Sequence, residues 1–404
     1  MLADAATEGT QESAPKADPP FFISGDEFIG TRRVEVSEDV LVALHRVAEA
    51  VGRFDCCELA RLLHAQGFCD DLSCTRPLVL HFLRLLAVIG IHHQELAPPH
   101  TCSQVLEDVW TTTLMHPKLY ERICSLFLPS AIIPYTPFTP RLYAEDASAY
   151  ARLKTKYLYT FGRQPGTLFW PKDAPTNKKR IFGQDSQHQF IQSSKLGDLR
   201  LQTPSMLTPA VPETARPETK LLASVVCETN TSAFFAFCLR YRLSSQKVEA
   251  ETFVLELFRF LILKALLNDV SASSPQLQAP PLVDSGWRTL LLFPQLYLPL
   301  CKRLLGRDEV IEREVRGSAE SLIAHPAYQR TWKIYVEEFG VEPPVAVWPK
   351  SKPDAVPKPL PAKITFFIED ANRKRYGIKA DSHVLIRTVL ERFAGDLNSL
   401  RECV

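Results

Sequence analysis

Two stretches, DVWTTTLMHPKLYERIC (Asp108–Cys124) and SGWRTLLLFPQLYLPLC (Ser285–Cys301), decide how the rest of the chain is read. Trp110 and Trp287 stand 177 positions apart. At the same offset Thr112 matches Thr289, Leu114 matches Leu291, Pro117 matches Pro294, Leu119 matches Leu296, Tyr120 matches Tyr297 and Cys124 matches Cys301. Farther on the offset is 178. There Tyr150, Tyr157, Phe161, Gly162, Pro165, Trp170, Pro171 and Lys172 match Tyr328, Tyr335, Phe339, Gly340, Pro343, Trp348, Pro349 and Lys350. Aromatic matches held in constant register mark an internal duplication, and the single slip marks a loop of variable length.

Each copy reads as helical. Leu78 to Ile89 is apolar on nearly every face, the pattern of a helix buried on all sides, and Phe253 to Leu267 is its counterpart. Pro117 and Pro294 suit the first turn of a helix, where the missing N–H costs nothing. Tyr120, Cys124 and Phe127, like Tyr297, Cys301 and Leu304, follow at helical spacing and form one core-facing stripe. In the last helix of each copy Tyr150, Tyr157 and Phe161, or Tyr328, Tyr335 and Phe339, share a face, and Gly162 or Gly340 supplies a left-handed cap. Phe169-Trp170-Pro171 and Val347-Trp348-Pro349 are predicted to be extended, because proline disfavours a helical predecessor. Each tryptophan is then expected to lie back over its own bundle. Paired aromatics of this kind belong first to a packing core.

Phe82-Leu83-Arg84-Leu85-Leu86, the Trp110 segment, Pro117 to Cys124 and the ending Tyr157, Phe161-Gly162, Trp170-Pro171 resemble the glycine-rich domain-containing protein-like family. Leu257-Phe258-Arg259-Phe260-Leu261, Asp284-Ser285-Gly286-Trp287, Tyr297, Cys301, Leu305-Gly306, Tyr335, Phe339-Gly340 and Trp348-Pro349 repeat the likeness, which spans about two-thirds of the chain. The family pattern is Asp-x-x-Trp-His-x-His, with a further histidine after a Phe-Gly step, a set suited to a metal ion. Here Thr111 and Thr113, or Arg288 and Leu290, stand in the first two histidine positions, and Tyr135 or Arg313 in the later one. Threonine, leucine and arginine cannot replace neutral imidazole as ligands, so the resemblance implies a site lost from both copies. The glycine-rich tail that names the family is missing as well.

The 404 residues suffice for two or three domains. Apolar types make up 46% and charged types 23%, an ordinary globular composition. Lys plus Arg 47 against Asp plus Glu 46 leaves no global field to steer the chain onto nucleic acid or an anionic membrane. Ten cysteines at irregular spacing, with no secretory h-region, read as reduced thiols of a cytoplasmic protein. The helix Phe253 to Val270 is interrupted by Glu256, Arg259 and Lys264, so a soluble protein without a membrane span is expected.

The expected organisation is mainly α. A disordered tail at 1–24 precedes helical repeat 1 at 25–172, and a linker at 173–220 leads to repeat 2 at 221–350. A second linker at 351–362, rich in proline and lysine, leads to a ββα module at 363–404. In that module Ile364, Phe366 and Ile368 alternate, Tyr376 and Ile378 alternate again, and Ser382 is placed to cap a helix bearing Leu385, Val389 and Phe393. The order resembles the first half of a ubiquitin-like β-grasp, and edge-strand addition by a partner would complete it.

Sites of chemistry are sparse. His64, Cys69, Cys74 and His81 are the best metal candidates, but their spacing fits no familiar ligand frame, and His81 is expected at a helix surface. Cys56-Cys57 falls in a helical stretch, Phe54 to His64, where neighbouring residues face apart. His92-His93 and His100 border a loop and are expected to be exposed. No nucleophile elbow, phosphate loop or dinucleotide fingerprint is present. The Lys178-Lys179-Arg180 triplet reads as a solvated charge run. The pattern therefore favours a non-enzymatic interaction or structural component with protein partners and no cofactor. The alternatives are an enzyme with a site between the repeats or an RNA-associated regulator.

Overall fold

The computed structural model describes residues 21–30, 36–96, 100, 102–128, 131–135, 143–171, 211, 213, 215–240, 250–314, 326–350, 363–369 and 375–381, with 143–146, 240 and the last two stretches in backbone only. The fold is mainly helical. The chain divides into two compact units, Met1–Pro349 and Lys350–Val404, and both copies of the repeat lie in the first.

Apolar residues on every face of one helix must be covered from every side, and this dictates the plan of each copy. In copy one the covered helix is α4 (Thr75–Ile91), where Leu78, Val79 and the whole run Phe82–Gly90 are buried. Around it pack α2 (Glu38–Arg53), α3 (Cys57–Ala65), α5 (Gln104–Leu114), α6 (Pro117–Phe127) and α7 (Tyr143–Phe161). A short α1 (Gly25–Ile29) leads into them, capped by the Ser24 hydroxyl. In copy two α10 (Ala250–Leu266) is surrounded by α8 (Pro217–Cys227), α9 (Ser232–Arg240), α11 (Pro281–Leu291), α12 (Pro294–Leu305) and α13 (Pro326–Phe339). Gly90 lies where a Cβ would meet that of Phe127 at 2.9 Å, so α6 approaches α4 closely.

The duplication extends farther upstream than the sequence reading reached. Leu44, Ala48 and Val51 of α2 and Thr219, Ala223 and Val226 of α8 are buried at a constant offset of 175, as are Leu59 and Phe234 of α3 and α9. Polar geometry repeats too. Trp110 Nε1 donates to the Tyr120 hydroxyl at 3.1 Å and that hydroxyl to the Ile133 carbonyl at 2.6 Å; Trp287, Tyr297 and Ile311 repeat the relay at 2.9 and 2.6 Å. Tyr150 and Tyr328 donate to the Pro171 and Pro349 carbonyls at 2.7 and 2.9 Å. Gly162 and Gly340 end α7 and α13 with φ of 65° and 67°, a left-handed conformation that costs other residues strain.

Some expectations need correction. Phe169-Trp170 and Val347-Trp348 are not extended: the Trp170 and Trp348 amides donate to the Gly166 and Pro344 carbonyls at 2.9 and 2.8 Å, closing one helical turn. That turn lets the backbone bend back and places each indole, fully buried, 5.1 or 5.2 Å from the ring of Tyr157 or Tyr335. The tail assigned to 1–24 ends earlier, because Ile23 is buried and the Phe21 amide bonds Asp55 and Cys57. The linker assigned to 173–220 overlaps α8, whose Thr219 is buried and donates to Glu338 at 2.7 Å. Residues 172–210 and 351–362, including Lys178-Lys179-Arg180, lie outside the described residues.

The two copies meet reciprocally, in the manner of a two-fold dimer. Lys118, the second residue of α6, pairs with Glu312 at 3.2 Å, and Gln295, the second residue of α12, donates to the Tyr135 carbonyl at 3.4 Å. Leu72–Ile91 is long and apolar enough to cross a membrane, and 67% of its most apolar 18-residue stretch is buried within the fold. In the second unit β1 (Lys363–Glu369) and β2 (Arg375–Asp381) pair antiparallel, in a register that sets Phe366 opposite Ile378 and Ile368 opposite Tyr376. The helix expected after Ser382 falls outside the described residues.

Because the indole–phenol–carbonyl relay is the same in both copies, Tyr120→Phe and Tyr297→Phe should each destabilise the first unit by about 1–3 kcal/mol, the cost of orphaning a buried carbonyl and an indole N–H. Urea unfolding followed by circular dichroism should give similar losses for the two variants. A loss from one and none from the other would contradict their structural equivalence.

Candidate functional site

The tryptophans of α5 and α11 mark where the family resemblance would put a metal. Glu107 precedes Trp110 by one helical turn, so both side chains project from the same side of α5. The segment after α6 returns over this face and brings Tyr135 down, its ring 5.2 Å from that of Trp110 and its hydroxyl donating to Glu107. Cys102 Sγ donates to the other oxygen of Glu107 at 3.4 Å. Burial, with the Glu107 charge beside it, holds the Tyr135 hydroxyl well above its ordinary range, so it remains a neutral donor.

Copy two solves the same position with full charges. Asp284 stands where Glu107 does, and Arg313, the counterpart of Tyr135, forks onto it with bonds of 2.7 and 2.8 Å. Arg288 adds a third bond at 3.1 Å. Beside them Lys264 and Asp269, both 2% exposed, pair at 2.8 Å, and the Lys264 ammonium lies 5.5 Å from the Trp287 ring centre. Burial pushes the Lys264 ammonium down while Asp269 pulls it up.

The structure therefore brings the later position, Tyr135 or Arg313, onto the helical acid, but leaves no ligand set there. Thr111 and Thr113 are turned back on α5, donating to the Glu107 carbonyl at 3.0 Å and the Val109 carbonyl at 2.7 Å. Leu290 is a core residue. His64, Cys69 and Cys74 gather at the turn after α3 through backbone carbonyls, with His64 Nδ1 3.0 Å from the Cys69 oxygen and Cys69 Sγ 3.4 Å from the Cys74 oxygen. His81 is elsewhere, in α4, stacked on Phe169 at 4.4 Å. It is half-buried rather than at the helix surface, and burial aided by Arg84 and Arg163 lowers its imidazole to about 4. Among the described residues no group of three His, Cys, Asp or Glu could hold a metal ion. His92 is not exposed either: it is 2% accessible, and its Nε2 lies 2.9 Å from the Thr160 hydroxyl. Cys56 precedes α3 as its cap rather than lying within it.

One constellation was missed. Glu256 lies in the covered helix α10, 1% exposed, and its carboxylate accepts from the Tyr335 hydroxyl at 3.0 Å, Trp348 Nε1 at 2.8 Å and Arg259 at 2.9 Å. Arg259 in turn covers Phe339 at 5.3 Å, as Arg84 covers Phe161 at 5.3 Å. Burial pushes the Glu256 carboxyl up against the downward pull of Arg259. The available signal was a carboxylate in an otherwise apolar helix, which has to be paired where it is buried. A shallow hollow of about 290 Å³ lies between the α8–α9 turn and α12, where Arg303 reaches Glu228 at 2.5 Å across its edge. The chain matches no protein-family model, no curated protein and no solved structure.

Removing one partner of a buried pair strands the other. Arg313→Met should cost about 3–5 kcal/mol by leaving the buried Asp284 with only the partly exposed Arg288 as counter-charge. Tyr135→Phe should cost about 1–3 kcal/mol, since Glu107 keeps its Cys102 contact. Chemical denaturation of the two variants measures the difference, and equal costs would mean that the charges in copy two add nothing.

Burial pushes the thiols of Cys56, Cys124 and Cys301 up to about 12 from 9.0. These thiols stay protonated in the fold but ionise near pH 9 when exposed. Their contribution is therefore complete below pH 9 and declines as pH rises toward 12. Urea midpoints measured from pH 8 to pH 10.5 should fall, less steeply in a Cys124→Ala, Cys301→Ala double variant.

Proposed function

We propose that this chain is a non-enzymatic interaction or structural component of a larger cytoplasmic assembly, built from two degenerate copies of one helical unit. The observation that carries the reading is the closure of the tryptophan sites. Glu107 is bonded by Tyr135, Asp284 by Arg313 and Arg288, and Lys264 by Asp269, so the groups able to do chemistry there are spent on one another. A catalytic centre keeps at least one titratable group facing a place where a substrate can sit. Descent from a glycine-rich domain-containing protein-like ancestor accords with this reading: the aromatic framework is kept twice, and the positions implied as ligands are occupied by threonine, leucine, tyrosine and arginine.

Within this proposal the second unit recruits the partner. The pair β1–β2 begins a ββα element like half of a ubiquitin-like β-grasp, and a two-stranded sheet leaves backbone donors and acceptors along its outer edges for another chain to use. So short a hairpin gains stability by being covered.

Tagged full-length chain and chain lacking Lys363–Val404 should be purified from the same cells and sized under native conditions. We expect a stoichiometric companion to co-elute with the full chain and to be lost from the truncated one. Elution of both forms as isolated chains, or hydrolytic or transfer activity in the purified full chain, would overturn the proposal.

A further inference from the structure

The duplication allows each polar group in copy one to be compared with its counterpart in copy two, and one set does not balance. At an offset of 175, His81 stands where Glu256 does and Arg84 where Arg259 does; Tyr157 and Trp170 are the counterparts of Tyr335 and Trp348. The frame is conserved closely. Tyr157 and Trp170 ring centres are 5.1 Å apart against 5.2 Å in copy two, and Tyr150 stacks on Trp170 at 6.1 Å as Tyr328 does on Trp348. In copy two the frame's donors converge on the Glu256 carboxylate.

In copy one the donors are in place and their acceptor is not. Trp170 and Tyr157 are fully buried; the indole N–H has no hydrogen-bond partner among the described residues, nor has His81 Nδ1, and the Tyr157 hydroxyl meets the Arg84 guanidinium, which can only donate. An indole N–H can only donate, and a neutral imidazole offers one acceptor nitrogen where a carboxylate offers two oxygens. His81 therefore cannot do the work of Glu256. Charge shows the same imbalance. Arg259 has a bonded carboxylate, whereas Arg84, 2% exposed, bonds the Phe28 and Glu27 carbonyls at 2.8 and 2.6 Å and feels the Glu27 carboxylate, which pairs with Arg76, only through space. Arg84 also flanks the Tyr157 hydroxyl, and Arg163 adds a second positive charge near His81. At the rim, His81 and the Phe169 ring stacked on it are both only partly buried, so their displacement would open a way in.

We propose that copy one binds the carboxylate of a small organic acid, held by Trp170 Nε1, the Tyr157 hydroxyl and Arg84 in the place that the Glu256 carboxylate fills in copy two. A planar, singly charged, two-oxygen group is what this donor geometry accommodates in the other copy, which favours a carboxylate over a tetrahedral dianion. The inference stands independently of the interaction role above, since it concerns a face of the first unit and not the partner of the second.

The full chain, labelled with ¹⁵N-tryptophan, would be titrated with sodium formate, acetate and propionate, with sodium chloride and sodium sulfate at matched ionic strength as controls. The Trp170 indole resonance is assigned through Trp170→Phe. We expect a saturable shift of that resonance and a rise in melting temperature with the carboxylates only, and both effects lost in His81→Glu, which supplies the carboxylate from α4 itself. No saturable shift of the Trp170 signal in the unmodified chain would overturn the proposal even if His81→Glu fails to fold. So would equal shifts with chloride or sulfate, or an undiminished carboxylate response in a folded His81→Glu chain.

Discussion

A helix covered on every side has nowhere to expose a charge, and both copies of this protein keep an arginine in theirs. Arg84 and Arg259 lie over the phenylalanine that ends the last helix of each copy, at the same 5.3 Å. The stacking recovers part of what desolvation costs a guanidinium, but its N–H groups still need acceptors inside the fold. Much of the surrounding structure supplies them. In copy one the acceptors are the carbonyls ending α1, which ties the N-terminal segment to the core; in copy two Glu256 provides one from within the helix.

That difference shows how duplicated cores diverge. The aromatic framework is held by volume: Trp110, Tyr120, Tyr157 and Trp170 and their counterparts fill matching spaces, where a change of size is felt directly. Polar residues are held by pairing, so they change together. Copy one sets Tyr135 on Glu107 and copy two sets Arg313 on Asp284, a neutral donor in one and a charged fork in the other. At this position copy two uses a buried ion pair and copy one a neutral donor on a carboxylate.

The duplication was legible because aromatic anchors recur at constant offset, and so were the proline helix starts and the glycine caps, which depend on local backbone chemistry. The equivalence of α2 with α8 and of α3 with α9 escaped notice since α2 and α8 share little beyond small and β-branched residues such as Ala48 and Ala223 or Val51 and Val226, whose correspondence shows only in what they pack against. The turn before Trp170 was misjudged because the Trp170 amide bonds the Gly166 carbonyl, which folds Phe169 into a turn and lets the indole pack into the core. His92 looked like a loop histidine and is a core one, through Thr160 on a helix distant in sequence.

By itself, then, the sequence determined that a mainly helical unit is present twice, with its covered helix, its aromatic stripes and its glycine stops, since these follow from periodicity and from residues whose conformational preferences are intrinsic. Only the tertiary structure decided which polar groups meet. Glu256 and Arg259, a helical turn apart in α10, meet Tyr335 of α13 and Trp348 from the turn beyond it, and nothing in the spacing of Tyr335 and Trp348 from Glu256 encodes a distance of 2.8 Å. Hydrogen bonds and ion pairs act over a few ångströms of space, whereas periodicity records only neighbours along a helix, and the gap between those two ranges is where the character of each copy was settled.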